Sequence, residues 1–183
     1  LKQLVKFLYK ISLKKSKKVF FQNQSDLDLF LKFNILKYKK TGLIPGSGVD
    51  LNFFKPIPME NKENHKLTML FLGRLIYDKG IRELVEAARI VKKDYPNIRF
   101  NLLGFKNVNN RTAISEKKIY QWQKEGIINY LDPVEDVRPY LNQSDCVILP
   151  SYREGISKSL LEAAAMERPI ICSNVPGCKE IVE

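Results

Sequence analysis

The chain has 183 residues, enough for one good domain and a smaller piece. Apolar residues make up 44% and charged residues 28%, and no apolar run reaches the roughly 18 residues that span a bilayer, so the composition is that of a soluble globular protein. The formal charge of +11 is local: residues 1–40 carry 11 lysines against two aspartates, and the rest is near balance, so an anionic partner would meet the amino-terminal piece.

There is no initiator Met and no signal-peptide pattern, and the chain reads as a fragment that begins mid-protein. Over residues 1–18, Leu1, Leu4, Val5, Leu8 and Ile11 recur at helical spacing, while Lys2, Lys6, Lys10 and Lys14 are four apart and line one face. This pattern predicts a basic amphipathic helix, continued by Lys15, Lys17 and Lys18. Its apolar stripe can pack on another domain while the lysines face anionic lipid headgroups. Residues 19–22 read as a short strand. Residues 26–33 read as a helix, with Asn23 or Ser25 as its cap. Residues 43–49, interrupted by Pro45, Gly46 and Gly48, read as a strand running into a loop, and the polar, proline-containing residues 55–66 read as a linker.

From residue 67 the pattern alternates. Apolar runs at 67–73, 98–104, 127–131, 146–150 and 169–173 predict strands; helical periodicity at 80–95, 115–125, 134–143 and 157–167 predicts helices between them. The expected fold is α/β: a Rossmann-like parallel sheet with helices on both faces. No GxGxxG follows any strand, which removes the main support for a dinucleotide-dependent dehydrogenase. No internal repeat is visible. Cys146, Cys172 and Cys178 lack paired metal-ligand spacing and read as small buried hydrophobes in a reducing compartment.

In such a sheet, ligands bind at the carboxyl ends of the strands. After the first strand of this part come Gly73 and Arg74, then Lys79 and Gly80 at the start of a helix. A guanidinium fork, an ammonium and a helix N-terminus converging on one strand end suit a diphosphate; the alternative is a surface Arg and Lys beside a turn. After the fourth strand, Glu154 stands on a loop and Glu162 lies eight residues on, inside the next helix. Carboxylates accept from vicinal hydroxyls, so one could hold a ribose and the other a sugar, with free amides of the helix start between them for the diphosphate. The plainer readings are a solvated Glu162 and a first-turn Glu154 favoured by the helix dipole.

The residues Gly73-Arg74, Lys79-Gly80, Arg153-Glu154-Gly155, Ser159-Leu160-Leu161-Glu162-Ala163, Pro169-Ile170 and Val175-Pro176-Gly177 together resemble the retaining glycosyltransferases of family 4, which have the two-domain GT-B architecture. The resemblance covers residues 67–183 as the donor-binding domain. The stretch 44–56 looks like the family's exit from its acceptor domain, so residues 1–54 would be the tail of that domain. The resemblance implies that Arg74 and Lys79 bind the donor diphosphate and that Glu154 lies near the transferred hexose. It also implies that Glu162 binds the ribose hydroxyls and that Gly155, Ile156, Ser157 and Lys158 cradle hexose and phosphate. Tyr130 and Leu131 would lie by the base. It further implies transfer with retention, with no cofactor and no metal, and with leaving-group charge stabilised by Arg74, Lys79 and the helix terminus.

Ser157 stands where many members have Gly or Pro, and Lys158 where many have Arg, which leaves the donor sugar open. His65, the only histidine, falls in the linker and is not expected to be catalytic. The chain stops at Glu183, before an expected last strand and returning helix. The resemblance points to a bacterial enzyme that moves a hexose or N-acetylhexosamine from a UDP-linked donor to a glycan or lipid-linked acceptor. It would act in the cytoplasm, at the inner face of the membrane, with peripheral contact to anionic lipid and without nucleic acid. A UDP-sugar epimerase of similar fold lacks the paired glutamates in this setting. A degenerate nucleotide-binding domain with a basic RNA-binding arm conflicts with the intact set Arg74, Lys79, Glu154 and Glu162.

Overall fold

In the computed structural model, residues 2–58 and 66–182 are described. Leu1, at the head of the predicted stripe, and His65, with most of the predicted linker, lie outside the described residues. Two packed units follow one another along the chain. The smaller contains helix α1 (Lys2–Ser12), strand β1 (Val19–Phe21), helix α2 (Gln24–Lys32) and strand β2 (Thr41–Leu43). β1 and β2 pair in parallel, with Val19 opposite Thr41, and α2 crosses between them. Phe21, Leu27 and Leu36 form its core. The predicted strand at 43–49 is displaced toward the amino terminus. The pairing ends at Leu43, because Pro45 has no N–H to donate and Gly46 and Gly48 turn the chain with positive φ.

The first helix also departs from expectation. It ends at Ser12, whose hydroxyl donates to the Tyr9 carbonyl at 3.2 Å, and Lys14 to Lys18 lie beyond it, where four like charges within five residues disfavour another helical turn. The lysine face does not simply point outward. Lys6 Nζ sits 3.4 Å from the Phe33 ring centroid, and Tyr9 meets Phe30 edge-on at 5.0 Å. The apolar stripe is the open face: Leu4, Phe7, Leu8 and Ile11 are each more than half exposed.

The larger unit holds strands β3 (Thr68–Leu72), β4 (Arg99–Leu103), β5 (Asn129–Leu131), β6 (Cys146–Leu149) and β7 (Ile170–Cys172). Helices α3 (Ile81–Asp94), α4 (Glu116–Lys124), α5 (Arg138–Asn142) and α6 (Lys158–Ala165) connect them in turn. All neighbouring strands are parallel, in the order β5-β4-β3-β6-β7. The chain moves from β3 to one edge, returns to the other side of β3 with β6, and then moves outward. Right-handed crossovers in opposite directions place their helices on opposite faces, as the alternating pattern predicts.

The central strands carry the apolar load. Leu70, Phe71, Leu102, Leu103, Val147 and Leu149 are nearly inaccessible, and Ile81, Leu84, Val85 and Ala88 of α3 pack on them. Val49 and Phe54 belong to this larger core, so the smaller core closes at Leu36 and the larger begins at Val49. Two predictions give way. The helix expected over 134–143 is only five residues long, because the Asp136 carboxylate accepts from the Arg138 N–H at 3.0 Å in an Asx turn and Pro139 follows at the helix start. Cys172, read from the sequence as a buried hydrophobe, is only half-buried, since β7 is an edge strand among the described residues and the adjacent Ile171 is 54% exposed.

Gly80 sets the approach of α3 to β6. Its φ is +69°, and a Cβ there would lie 2.0 Å from the Pro150 carbonyl oxygen. Gly80→Ala is therefore expected to destabilise the chain by about 1–3 kcal/mol through overpacking, with backbone strain in addition. Urea unfolding checks this, and an unchanged midpoint would mean that the two loops separate easily.

Candidate functional site

The change of direction in strand order falls between β3 and β6, and the loops leaving these two strands form the site. Each is held firmly. After β3, Leu75 N–H donates to the Phe105 carbonyl at 2.9 Å and Tyr77 N–H to the Thr112 carbonyl at 2.7 Å. A single 3₁₀ turn, Tyr77–Lys79, then delivers Lys79 to the start of α3. After β6, Tyr152 N–H donates to the Asp78 carbonyl at 3.0 Å and ties the two loops together.

This geometry brings Lys79 and Glu154 into an ion pair, with side chains only 19% and 13% exposed. Ser151, fully buried, donates its hydroxyl to the same carboxylate oxygen, Glu154 Oε1, at 2.5 Å. Among the described residues nothing occupies Oε2, which leaves one acceptor for a ligand hydroxyl. Arg74 is exposed and makes no side-chain hydrogen bond or ion pair among the described residues. The two basic residues are thus in different states: one is held by an acid, the other is free to meet an anion.

The loop 153–157 is clamped through its backbone. Glu154 N–H donates to the Pro176 carbonyl at 3.0 Å and Ser157 N–H to the Gly177 carbonyl at 2.9 Å. Gly177 has φ +83°, and a Cβ there would fall 2.5 Å from the Glu154 carbonyl, so only glycine fits. Ser157 is the N-cap of α6; its hydroxyl accepts from Leu160 N–H at 3.4 Å. Both the amide and the hydroxyl of Ser157 are therefore engaged within the fold. In contrast, nothing among the described residues accepts from the N–H groups of Gly155, Ile156, Lys158 and Ser159. These amides are the anion-binding capacity of the α6 terminus.

Glu162 lies just over one turn inside α6 and is 8% exposed, which excludes the solvated alternative. Its nearest cation is Lys158 Nζ at 3.6 Å, on a largely exposed side chain. Burial pushes the Glu162 carboxyl above the usual carboxylate range, against the opposing pull of Lys158. A desolvated carboxylate with spare lone pairs suits a pair of ligand hydroxyls.

Tyr130 and Leu131 lie within β5 and not in the loop that follows it. The Tyr130 hydroxyl donates to the Gly104 carbonyl at 3.0 Å, and burial, followed by the nearby Asp132, pushes its pKa to about 12. Neither Tyr130 nor Arg74 nor Glu162 makes a hydrogen bond or ion pair with Lys79 or Glu154 among the described residues. Three contributors escape a reading of the sequence: Ser151, the carbonyls of residues 176–177, and Asn23. A serine after a strand-end proline carries no distinctive signal. Backbone carbonyls carry none at all.

Solved structures of the same fold include glycosyltransferases. Anabaena HepE in complex with UDP-glucose superposes with a TM-score of 0.78 at 18% identity, over 97% of this chain and 51% of that one. WaaG, a glycosyltransferase involved in lipopolysaccharide biosynthesis, gives 0.72 at 18% identity, over 90% of this chain and 46% of that one. The sequence places the chain more narrowly: it belongs to the group 1 glycosyl transferases, whose family model matches residues 66–183. A Campylobacter jejuni relative, N,N'-diacetylbacillosaminyl-diphospho-undecaprenol alpha-1,3-N-acetylgalactosaminyltransferase, is 31% identical over 189 residues, 98% of this chain and 48% of that protein. The capsular polysaccharide biosynthesis glycosyltransferase CapM of Staphylococcus aureus is 27% identical over 119 residues, 65% of this chain and 31% of that protein. The chain thus spans less than half the length of these two relatives.

The buried state of Glu162 has a measurable consequence. Glu162→Gln is expected to raise the melting temperature of the ligand-free chain at neutral pH, because the amide removes a charge that folding desolvates and the Lys158 pair it forfeits is weak. The folded-state pKa lies above the unfolded one, so this penalty operates at higher pH and disappears once the carboxyl is protonated in both states. The difference between the two proteins should therefore narrow on acidification. Thermal melts across that range decide it, and a variant less stable than wild type at neutral pH would contradict it.

Proposed function

We propose that this chain supplies the donor-binding half of a retaining glycosyltransferase. The enzyme transfers a hexose or N-acetylhexosamine from a UDP-linked sugar to a glycan acceptor carried on a lipid diphosphate, in bacterial polysaccharide or glycan assembly. The observation that carries the reading is the meeting of Lys79 and Glu154 at the strand-order switch, beside the unengaged amides of the α6 terminus. The undecaprenol-linked substrate named for the Campylobacter relative and the UDP-glucose bound to HepE support the choice of acceptor and donor.

In this reading the diphosphate lies between Arg74, Lys79 and the N–H groups of Lys158 and Ser159. The charge that develops on the leaving diphosphate meets donors already in place, which lowers the barrier without reorganisation. Glu154 Oε2 and the amides of Gly155 and Ile156 face the hexose. Glu162 accepts from the ribose hydroxyls, and the base lies toward the end of β5, near Tyr130 and Leu131. No resident cofactor or metal enters the scheme.

Ribose belongs to the nucleotide and hexose does not, so the two glutamates should separate in a titration. Glu162→Ala is expected to weaken UDP binding by about 1.5–3 kcal/mol, and Glu154→Ala much less. Isothermal titration of both variants with UDP measures this; equal losses would remove the division of roles. Transfer of radiolabelled sugar by the full-length protein tests the activity itself.

A lipid-linked acceptor places the enzyme at the cytoplasmic face of a membrane. No helix among the described residues is long and apolar enough to cross one, but α1 presents an open stripe of Leu4, Leu8 and Ile11 beside the basic run Lys10, Lys14, Lys15, Lys17 and Lys18. An apolar face flanked by cations is the design of an interfacial helix, with each lysine near an anionic surface worth about 1 kcal/mol. The chain is expected to co-sediment with vesicles containing phosphatidylglycerol, less so at high salt and less so after Lys-to-Glu changes at these positions. Binding indifferent to both would leave the stripe as a packing face for another part of the protein.

A further inference from the structure

The loop that carries Glu154 is held from two directions. Residues 176–177 receive its N–H groups, as described above. Its carbonyls are received from the opposite direction, by the smaller unit. Asn23 is 2% exposed, and its Nδ2 donates to the Gly155 carbonyl at 2.9 Å and, more weakly, to the Glu154 carbonyl at 3.4 Å. The same amide group caps α2: Oδ1 accepts from Asp26 N–H at 2.8 Å, and Nδ2 also reaches Asp26 Oδ2 at 3.0 Å. The orientation of the amide follows from its partners, since only oxygen can accept from the N–H and only nitrogen can donate to the two carbonyls. Around this bridge, Asp26 pairs with Arg153. Gln22 Oε1 occupies a point 1.9 Å from where a Cβ on Gly155 would stand, and Ile156 lies 3.0 Å from where one on Gly46 would stand.

We infer that Asn23 is a positioning residue for the donor site, the point at which the smaller unit fixes the 154–155 peptide and with it the Glu154 carboxylate. This rests on the proposed role of that loop in holding the transferred sugar. With the Glu154 and Ser157 N–H groups held at residues 176–177 and the Glu154 and Gly155 carbonyls held at Asn23, the segment between them has one orientation. In that orientation the Glu154 side chain reaches Lys79 and Ser151, and the amides of Gly155 and Ile156 remain unengaged. Without the Asn23 donor, two carbonyls of a half-buried loop lose their partner and the peptide can rotate toward water. Glu162 stands on α6 and, among the described residues, shares no hydrogen bond or ion pair with Asn23. The sugar-facing part of the site therefore depends on Asn23, and the ribose-facing part does not.

The test uses Asn23→Ser and Asn23→Asp in the whole chain. Both keep a cap oxygen for α2, and both lose the amide NH2 group that reaches the loop carbonyls. Two readouts are taken: amide hydrogen exchange, and calorimetric affinity for UDP compared with UDP-glucose and UDP-N-acetylglucosamine. The expected result is at least about tenfold faster exchange at residues 154–157, with β3 and β4 unchanged. The tighter-bound of the two nucleotide-sugars should lose about tenfold in affinity, the equivalent of one buried hydrogen bond, while UDP changes little. Unchanged exchange in the loop would overturn the inference. So would a looser loop with equal losses, or none, for UDP and nucleotide-sugar. If wild type binds no UDP, the proposed function fails instead; the exchange data still decide whether Asn23 holds the loop. Global loss of protection in one variant is distinguished by the other, and if both unfold, Asn23 is structural and the inference falls.

Discussion

The reversal of strand order at β3 and β6 is the constraint on which the site depends. Adjacent parallel strands whose crossovers leave in opposite directions open a crevice at their carboxyl ends. Two loops that are 75 positions apart in sequence, at Lys79 and Glu154, start there from strands that share a register. The loops meet because nothing bulky separates them. Gly80 lies directly on the Pro150 carbonyl, and the Tyr152 amide reaches Asp78. The ion pair follows from this contact and does not create it.

The electrostatics of the crevice suit an anionic ligand. Lys79 is partnered by Glu154, so its charge is stabilised without a ligand, while Arg74 stays in solvent and the first amides of α6 stay unengaged. In the proposed reading, a diphosphate entering here would meet one exposed cation, one tethered cation and a helix terminus. It does not require two buried cations to be held apart in its absence, an arrangement that would cost several kcal/mol in desolvation and repulsion. Glu162 carries the opposite burden, a carboxylate kept largely from water within the fold.

The two packed units are coupled through a few polar contacts at one loop. The larger unit supplies the β6–α6 loop and receives its N–H groups at Pro176 and Gly177. The smaller unit receives the carbonyls at Asn23 and the Arg153 charge at Asp26. A residue that locally caps a helix thus also acts over 132 positions. Hydrogen-bond partners of this kind are specific in geometry and modest in energy, which suits a joint that must be accurate without fusing two cores.

Much of this was legible in the order of residues. The alternation of apolar runs and helical periods determines a parallel α/β sheet, because parallel strands buried on both faces have no other way to be written. The positions of Arg74, Lys79, Glu154 and Glu162 relative to strand ends and helix starts follow from the same pattern, as does a cap at either Asn23 or Ser25, between which only the structure decides. Tertiary structure decided the rest. The burial of Glu162 depends on what packs against α6, and a helical period alone does not tell a buried glutamate from a solvated one. The pairing of Lys79 with Glu154 needed the strand order, which periodicity does not contain. The open stripe of α1 depends on Lys6 and Tyr9 finding Phe33 and Phe30. A one-dimensional pattern specifies which residues can be buried, because burial on one face has a period. It does not specify which distant groups share a hydrogen bond, because that depends on where two segments come to lie in space.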